Sequence, residues 1–519
     1  MTSEVAVPNM PREEGPRSAA PRVSASKHAR ELQADAHEQT PKERLSAYFT
    51  IAAAAFGLIS DGYQNNLMTM SNVVFKKLYP TEYTATVSTR VSNALLVGAI
   101  LGQLSVGLVC DRLGRKVALV ATTLLIIIGA TLGTAAHGAH GSVQGLFWFL
   151  TVARGITGVG VGGEYPASST SASEAANEKM VNNRGPVFIM VTNFVLSPQF
   201  GGPLAVCVFL IVLSAAGEDH LPTVWRVCFG IGILLPLTVF IFRLRMLSSK
   251  LYKKGAIKHN VPYRLVLKRY WRELIGTCGA WFLYDFVTFP NGVFSGTIIA
   301  SVVKNADIKQ TAEWQLLLGA IALPGVFVGA ALCNPLGRRN TMMLGFGGYL
   351  VFGLIIGCAY EQITKIIPLF VILRWVISAD YLTQTGLMQS FGNLGPGDML
   401  GLISSEGTAY GISAALGKTG AAIGTQAFTP IQTHLGKKWT FIIAAICGIA
   451  GILVTYFFVP DLTGVDLAEE DAKFMQYLAD NGWQGEIGED DCKEMIVNSG
   501  LEEGSSDEVD GDVKNDGSD

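Results

Sequence analysis

Four ionisable side chains stand inside long apolar runs. They are Asp61 in Leu58-Ile59-Ser60-Asp61-Gly62-Tyr63, Glu164 in Gly162-Gly163-Glu164-Tyr165-Pro166, Asp285 in Trp281-Phe282-Leu283-Tyr284-Asp285-Phe286, and Lys418 in Gly417-Lys418-Thr419-Gly420. At bilayer depth such a group costs at least about 2.5 kcal/mol, so each needs a partner or a task. Three acids and a base on separate runs suit a proton relay beside an anion site. A carboxylate in a low-dielectric cavity holds its proton more readily than in water. Proton uptake would then favour anion binding and proton loss its release, with Lys418 supplying positive charge. The competing account is a set of buried ion pairs that only fix helix packing; three acids at similar depth favour function. Trp281, Asp285 and Phe289 recur every four residues, so they share one helix face, expected to line a cavity. Arg154 opens Arg154-Gly155-Ile156-Thr157-Gly158. It is either a helix-end residue snorkelling to the interface or a buried member of the proton network, and the residues leave both open. Arg90 reads as interfacial.

The elements that position these groups follow from the apolar runs themselves. Charged residues make up 16% of the 519-residue chain and hydrophobic ones 49%, against about 25% charged in soluble domains. Runs of about 20 apolar residues, long enough to cross a hydrocarbon core, recur along the chain. They predict twelve membrane helices near 46–70, 90–110, 117–137, 145–170, 185–215, 225–245, 272–301, 313–334, 341–361, 367–400, 407–431 and 438–459. The expected organisation is a disordered cytosolic tail (1–44), a six-helix bundle (45–245), a basic cytosolic linker (246–271), a second six-helix bundle (272–460) and an acidic cytosolic tail (461–519). The fold class is therefore an all-α membrane protein. Arg112, Arg115 and Lys116, the basic linker, and Arg338 with Arg339 all fall on one side, which the positive-inside rule assigns to the cytosol. No cleavable leader pattern is legible, so the first span is expected to serve as its own insertion signal. The eight cysteines form no C-x-x-C pair and read as small buried hydrophobes. No metal, cofactor or nucleic acid is expected as a partner, and no nucleophile or nucleotide-loop constellation suggests an enzyme. The expected partners are a small anionic solute, protons and the lipid bilayer.

The halves repeat a pattern. Gly107-Leu108-Val109-Cys110-Asp111-Arg112-Leu113-Gly114-Arg115-Lys116 follows the second span, and Gly329-Ala330-Ala331-Leu332-Cys333-Asn334-Pro335-Leu336-Gly337-Arg338-Arg339 follows the eighth. Such duplication suits two bundles that rock about a central site. Asp111, Arg112 and Arg115, with Asn334 and Arg338 in the second copy, are expected to form a cytosolic gate. Asn334 and Pro335 replace the Asp and Arg of the first copy, so that half is held less electrostatically. This loop resembles the signature of the major facilitator superfamily, which implies two pseudo-symmetric six-helix bundles.

Gly163-Glu164-Tyr165-Pro166, Trp281-Phe282-Leu283-Tyr284-Asp285 and Gly411-Ile412-Ser413-Ala414-Ala415-Leu416-Gly417-Lys418 resemble the phosphate:proton symporter family. More narrowly, Ser60-Asp61-Gly62-Tyr63, Val87-Ser88-Thr89-Arg90-Val91-Ser92-Asn93-Ala94, Phe286-Val287-Thr288-Phe289-Pro290-Asn291-Gly292 and Gly395-Pro396-Gly397-Asp398-Met399-Leu400-Gly401 are similar to fungal glycerophosphoinositol and glycerophosphodiester permeases. The similarity runs from residue 45 to 485 and includes Asn481-Gly482-Trp483. It implies that Asp61 and Glu164 move protons, and that Tyr165, Trp281 and Asp285 bind phosphate with Lys418 close by. Asn193 is the nearest candidate for the family's polar residue of the fifth span. Phe289 stands where phosphate carriers have Tyr, and Gly397 where they have Asn, which suggests a bulkier phosphodiester. The resemblance thus implies a plasma-membrane, proton-coupled importer of glycerophosphodiesters. The rivals are an inorganic phosphate symporter, a non-transporting nutrient sensor, and a sugar facilitator; the last lacks its Pro-Glu-Ser-Pro-Arg signature, since Ser248-Ser249-Lys250 stands there. The chain is longer than the family pattern between Leu373 and Phe391 and shorter between Glu406 and Gly407, which reads as a retained intron and a lost exon edge.

Overall fold

A computed structural model describes residues 41–113, 115–177, 198–244, 263–302, 307–322, 328, 331–332, 335–363, 365, 406–460, 476–478 and 480–483. Residues Met1–Leu45 and Ser46–Asp519 are separate compact units, and the contacts below lie within the second. The helices are α1 (Pro41–Leu78), α2 (Ala85–Leu113), α3 (Arg115–Thr134), α4 (Val143–Asn177), α5 (Pro198–Ala216), α6 (Leu221–Leu244), α7 (Tyr263–Val293), α8 (Ile308–Ala322), α9 (Arg338–Cys358), α10 (Glu406–His434) and α11 (Lys438–Phe458). The expected tenth span, 367–400, and the segment 373–391 lie outside the described residues.

Helix is the form that satisfies every backbone donor and acceptor within one segment, which lipid demands. Among the described residues, α2, α3, α4, α6, α9 and α11 contain stretches long and apolar enough to cross a membrane. Their large apolar side chains, among them Leu101, Ile128, Trp148, Leu234, Leu354 and Phe457, point outward. Helices α1, α7 and α10 instead bury polar groups: Ser60, Asp61 and Gln64; Thr277, Asp285 and Thr288; Ser413, Lys418 and Thr425. Among the apolar spans, α4 also buries Arg154 and Glu164, and α6 buries Arg243.

Glycines set the closest approaches. A Cβ on Gly158 would fall 2.2 Å from the Leu95 carbonyl, and one on Gly162 would fall 2.1 Å from that of Ala99, so α2 and α4 touch backbone to backbone. Small residues serve membrane helices in this way because lipid competes for apolar contacts. The repeat reappears in space. Gly201 of α5 sits against Gly62 and Tyr63 of α1, as Gly417 and Gly420 of α10 sit against Trp281 and Phe282 of α7. Between the halves, α2 meets α10 through Thr89 and Thr429 Oγ1 atoms at 3.3 Å and through Asn93 Nδ2 donating to the Ala422 carbonyl at 3.1 Å. Tyr83 donates to Asn72 Oδ1 at 2.6 Å, and Asn72 Nδ2 donates to the Val293 carbonyl at 3.5 Å.

Several boundaries differ from the sequence expectation: α1 runs to Leu78 rather than 70, α2 begins at Ala85 rather than 90, and α4 runs to Asn177 rather than 170. Helix α7 begins at Tyr263 rather than 272, because the basic segment before the span alternates exposed residues such as Arg264 and Lys268 with half-buried ones such as Leu265, and helix continues through a kink at Tyr270 (φ −107°, ψ 19°). The same run also breaks after Val293 and resumes as a short helix, Ser295–Val302. Pro290, one turn before the break, lacks the N–H that would bond the Phe286 carbonyl, while Phe294 N–H still donates to the Pro290 carbonyl at 3.0 Å.

The glycine contacts are checked by adding one methyl at a time. Gly162→Ala should cost about 1–3 kcal/mol through overpacking and lower the thermal midpoint in detergent. Gly155→Ala, whose added carbon meets nothing nearer than 3.9 Å, should leave it unchanged.

Candidate functional site

Helix α7 presents Trp281, Asp285 and Phe289 on one face, and α10 presents Lys418 opposite. Lys418 Nζ donates to Asp285 Oδ2 at 3.0 Å, with the two side chains 6% and 1% exposed. The ammonium lies 4.0 Å from the centre of the Phe289 ring and 5.5 Å from that of Tyr165, which reaches in from α4 of the other half. A cation over a desolvated aromatic face gains about 2 kcal/mol, so the ring pair stabilises Lys418 where water cannot. Gly417 makes room for the indole: a Cβ there would fall 2.5 Å from Trp281 Cδ1. Trp281 in turn meets Tyr410 edge to face at 5.7 Å, and the cluster continues through Tyr165, Tyr284 and Tyr349. Asp285 Oδ1 has no hydrogen-bond partner among the described residues.

The second cluster lies within the amino-terminal half. Glu164 of α4 forms a fully buried ion pair with Arg243 of α6. Arg243 also bonds Thr123 and donates at 3.3 Å to Ser168 Oγ and at 3.5 Å to the Leu119 carbonyl. Asp61 is 0% exposed and within electrostatic range of both Glu164 and Arg243. Neither of its carboxylate oxygens, nor Ser60 Oγ, has a hydrogen-bond partner among the described residues. The guanidinium thus bonds one carboxylate while a second lies nearby unpaired, and an uncompensated buried charge is costly. The cluster is neutral when one carboxyl carries a proton.

Asp61, Glu164, Tyr165, Trp281, Asp285, Phe289 and Lys418 are therefore gathered in two buried charged clusters, Tyr165 standing beside Glu164 in sequence and contacting Lys418. Arg154 is brought to neither. It is buried, so it does not snorkel, and its guanidinium donates to the carbonyls of Val91 at 3.3 Å and Gln64 at 3.5 Å, tying α4 to α2 and α1. Arg90 lies over the exposed Trp148 ring at 3.8 Å, as an interfacial residue would. Asn193 and Asn334 lie outside the described residues. Asp111, Arg112, Arg115 and Arg338 lie at helix ends, and their side chains are outside the described ones. The residue missed in the sequence is Arg243, which stands just before the basic linker. Its signal was position: it falls inside the expected sixth span, 225–245, where an arginine needs a carboxylate.

Apolar helices in two related halves, enclosing charges that water cannot reach, define a membrane solute carrier of the major facilitator fold. The profile of the sugar (and other) transporter family matches residues 47–474, and the chain belongs to that family. It is 55% identical over 480 residues to glycerophosphoinositol permease 1 of Candida albicans, covering 91% of this chain and 89% of that one. It is 49% identical over 478 residues to glycerophosphoinositol transporter 1 of Saccharomyces cerevisiae, covering 90% and 89%. Among solved structures, the proton:xylose symporter XylE bound to 6-bromo-6-deoxy-D-glucose superposes with a TM-score of 0.68 at 18% identity, covering 82% of this chain and 99% of that one. That likeness concerns the fold. The protein is a transporter and not an enzyme.

Removing one member of a buried pair strands the other. Lys418→Met alone should cost about 3–5 kcal/mol. Adding Asp285→Asn should recover much of that loss, so the double variant unfolds at a higher temperature than the single one. Simple additivity of the two losses would show that the pair carries no coupling.

Proposed function

We propose that the chain imports glycerophosphodiesters across the plasma membrane in symport with protons, by alternating access. The observation that carries this reading is the Asp285–Lys418 pair, buried beneath Phe289, Tyr165 and Trp281. With Asp285 ionised the pair is neutral and Lys418 is engaged. A proton on Asp285 frees the ammonium for a phosphodiester, which carries one negative charge, and the site is neutral again. Proton and anion therefore enter together, and proton loss from Asp285 returns Lys418 to its carboxylate and expels the anion.

The aromatic residues suit this exchange. Trp281, Tyr165 and Phe289 exclude water, which strengthens each charge interaction. Phe289 offers a ring without a hydroxyl, suited to the ester arm of a diester more than to a fourth phosphate oxygen. Asp61, Glu164 and Arg243 form a second proton station, in which Arg243 can turn from Glu164 to Asp61 when Asp61 ionises. The names of the two fungal relatives support the substrate class.

Bundles 45–245 and 272–460 then rock about the site, joined by the basic linker 246–271 and flanked by the tails 1–44 and 461–519. Asp111, Arg112, Arg115, Asn334 and Arg338 close the cytosolic face. The clustering of bases on that face supports cytosolic termini.

The test is uptake of labelled glycerophosphoinositol, glycerophosphocholine and inorganic phosphate into cells lacking their own carriers, at acidic pH with and without a protonophore. Uptake of a glycerophosphodiester that rises as pH falls and collapses with the protonophore is expected. Uptake of phosphate alone would overturn the substrate assignment, and no uptake from a surface-expressed protein would favour a sensor. In the same cells Asp61→Asn should lower proton-driven accumulation by roughly tenfold or more, a loss of about 1.4 kcal/mol per decade, while exchange of internal for external substrate persists. Accumulation equal to the unmodified protein would remove Asp61 from the proton path.

A further inference from the structure

Gln103 has no part in the cycle described above. It lies on α2 where three helices meet. Its neighbour Gly102 packs on the α4 backbone at Val159 and Gly163, and a Cβ on Gly411 of α10 would fall 2.4 Å from the Gln103 carbonyl. The side chain is 0% exposed, yet neither Oε1 nor Nε2 has a hydrogen-bond partner among the described residues. Among the described residues the other buried amides each keep at least one such bond. Gln64 Nε2 donates to the Gly232 carbonyl at 2.9 Å, Asn93 Nδ2 to that of Ala422 at 3.1 Å, and Asn72 accepts from Tyr83 at 2.6 Å. A primary amide has two donor hydrogens and two acceptor lone pairs. Native interiors almost always pair such groups, so an orphan of this kind points to a partner that comes from outside the chain.

The place of the orphan suggests which partner. Gly411 and Lys418 lie seven residues apart on α10, two helical turns on one face and about 10 Å along the axis. The Gln103 backbone therefore lies two turns along α10 from that of Lys418, at the junction of the two halves. A ring esterified to a phosphate spans less than this between phosphorus and its far hydroxyl, and a hydrogen bond of about 3 Å at each end makes up the difference. We propose that Gln103 is a specificity-determining residue, whose amide hydrogen-bonds the hydroxyls of a polyol head group while Lys418 holds the phosphate. This inference rests on the phosphodiester reading of Lys418. A packing role is the alternative, but Gly102, Gly107 and Gly411 already make the close contacts here, and packing does not require an amide.

The test uses Gln103→Met, which keeps length and removes hydrogen bonding, and Gln103→Asn, which keeps a shorter amide. Inhibition constants are measured for unlabelled glycerophosphoinositol and glycerophosphocholine against uptake of the labelled diester, at matched surface expression. Gln103→Met should weaken glycerophosphoinositol roughly tenfold or more, as expected for a site built to bond a hydroxyl, and leave glycerophosphocholine and the maximal rate unchanged. Gln103→Asn should fall between. Equal weakening of both diesters, or loss of maximal rate alone, would assign Gln103 to packing and overturn the proposal. Unchanged constants for both would overturn it as well. If the unmodified protein takes up and binds neither diester, the transport reading fails first, and this inference falls with it.

Discussion

The arrangement depends on the cost of holding charge where water cannot reach it. Asp285 with Lys418 and Glu164 with Arg243 are each joined across different helices, and each removes a penalty that neither partner could bear alone. Such pairs add little net stability. In the cycle proposed above they are poised: a proton or an anion changes the local charge by one unit and makes a different pairing the favourable one. Asp61 lies buried beside the second pair without a hydrogen-bond partner among the described residues.

Glycine makes these pairs geometrically possible. Gly417 and Gly420 let α10 lie directly on Trp281 and Phe282, which brings Lys418 to Asp285 with an aromatic wall already in place. The same use of Gly158 and Gly162 holds α4 on α2 and presents Glu164 and Tyr165 at one level. The aromatic residues then do two jobs: they exclude water, and through Phe289 and Tyr165 they hold the cation from both halves of the molecule.

Much of this was legible in the sequence because lipid makes the rules strict. Apolar run length gave the helices, and a charge inside a run marked the site. The face shared by Trp281, Asp285 and Phe289 needed only helical periodicity. Arg243 was harder, since a base near the end of a span looks the same whether it points to water or back to Glu164. Arg154 was harder for the opposite reason: it is buried, but its partners are the carbonyls of Val91 and Gln64, and backbone acceptors leave no mark in a sequence. The early start of α7 at Tyr263 was hidden by its charge, and the break after Val293 by the apolar residues on either side of it.

The α2–α10 contact has a mechanical side. Along it, Asn93 bonds to a carbonyl, Gln103 presents its own carbonyl to a glycine, and Thr89 meets Thr429 through single hydroxyls. Interlocked side chains resist rotation, whereas a carbonyl accepts hydrogens over a broad arc and a glycine surface has nothing to catch. In the rocking proposed above, a seam built this way acts as a greased bearing: it keeps two helices in register while one rolls on the other.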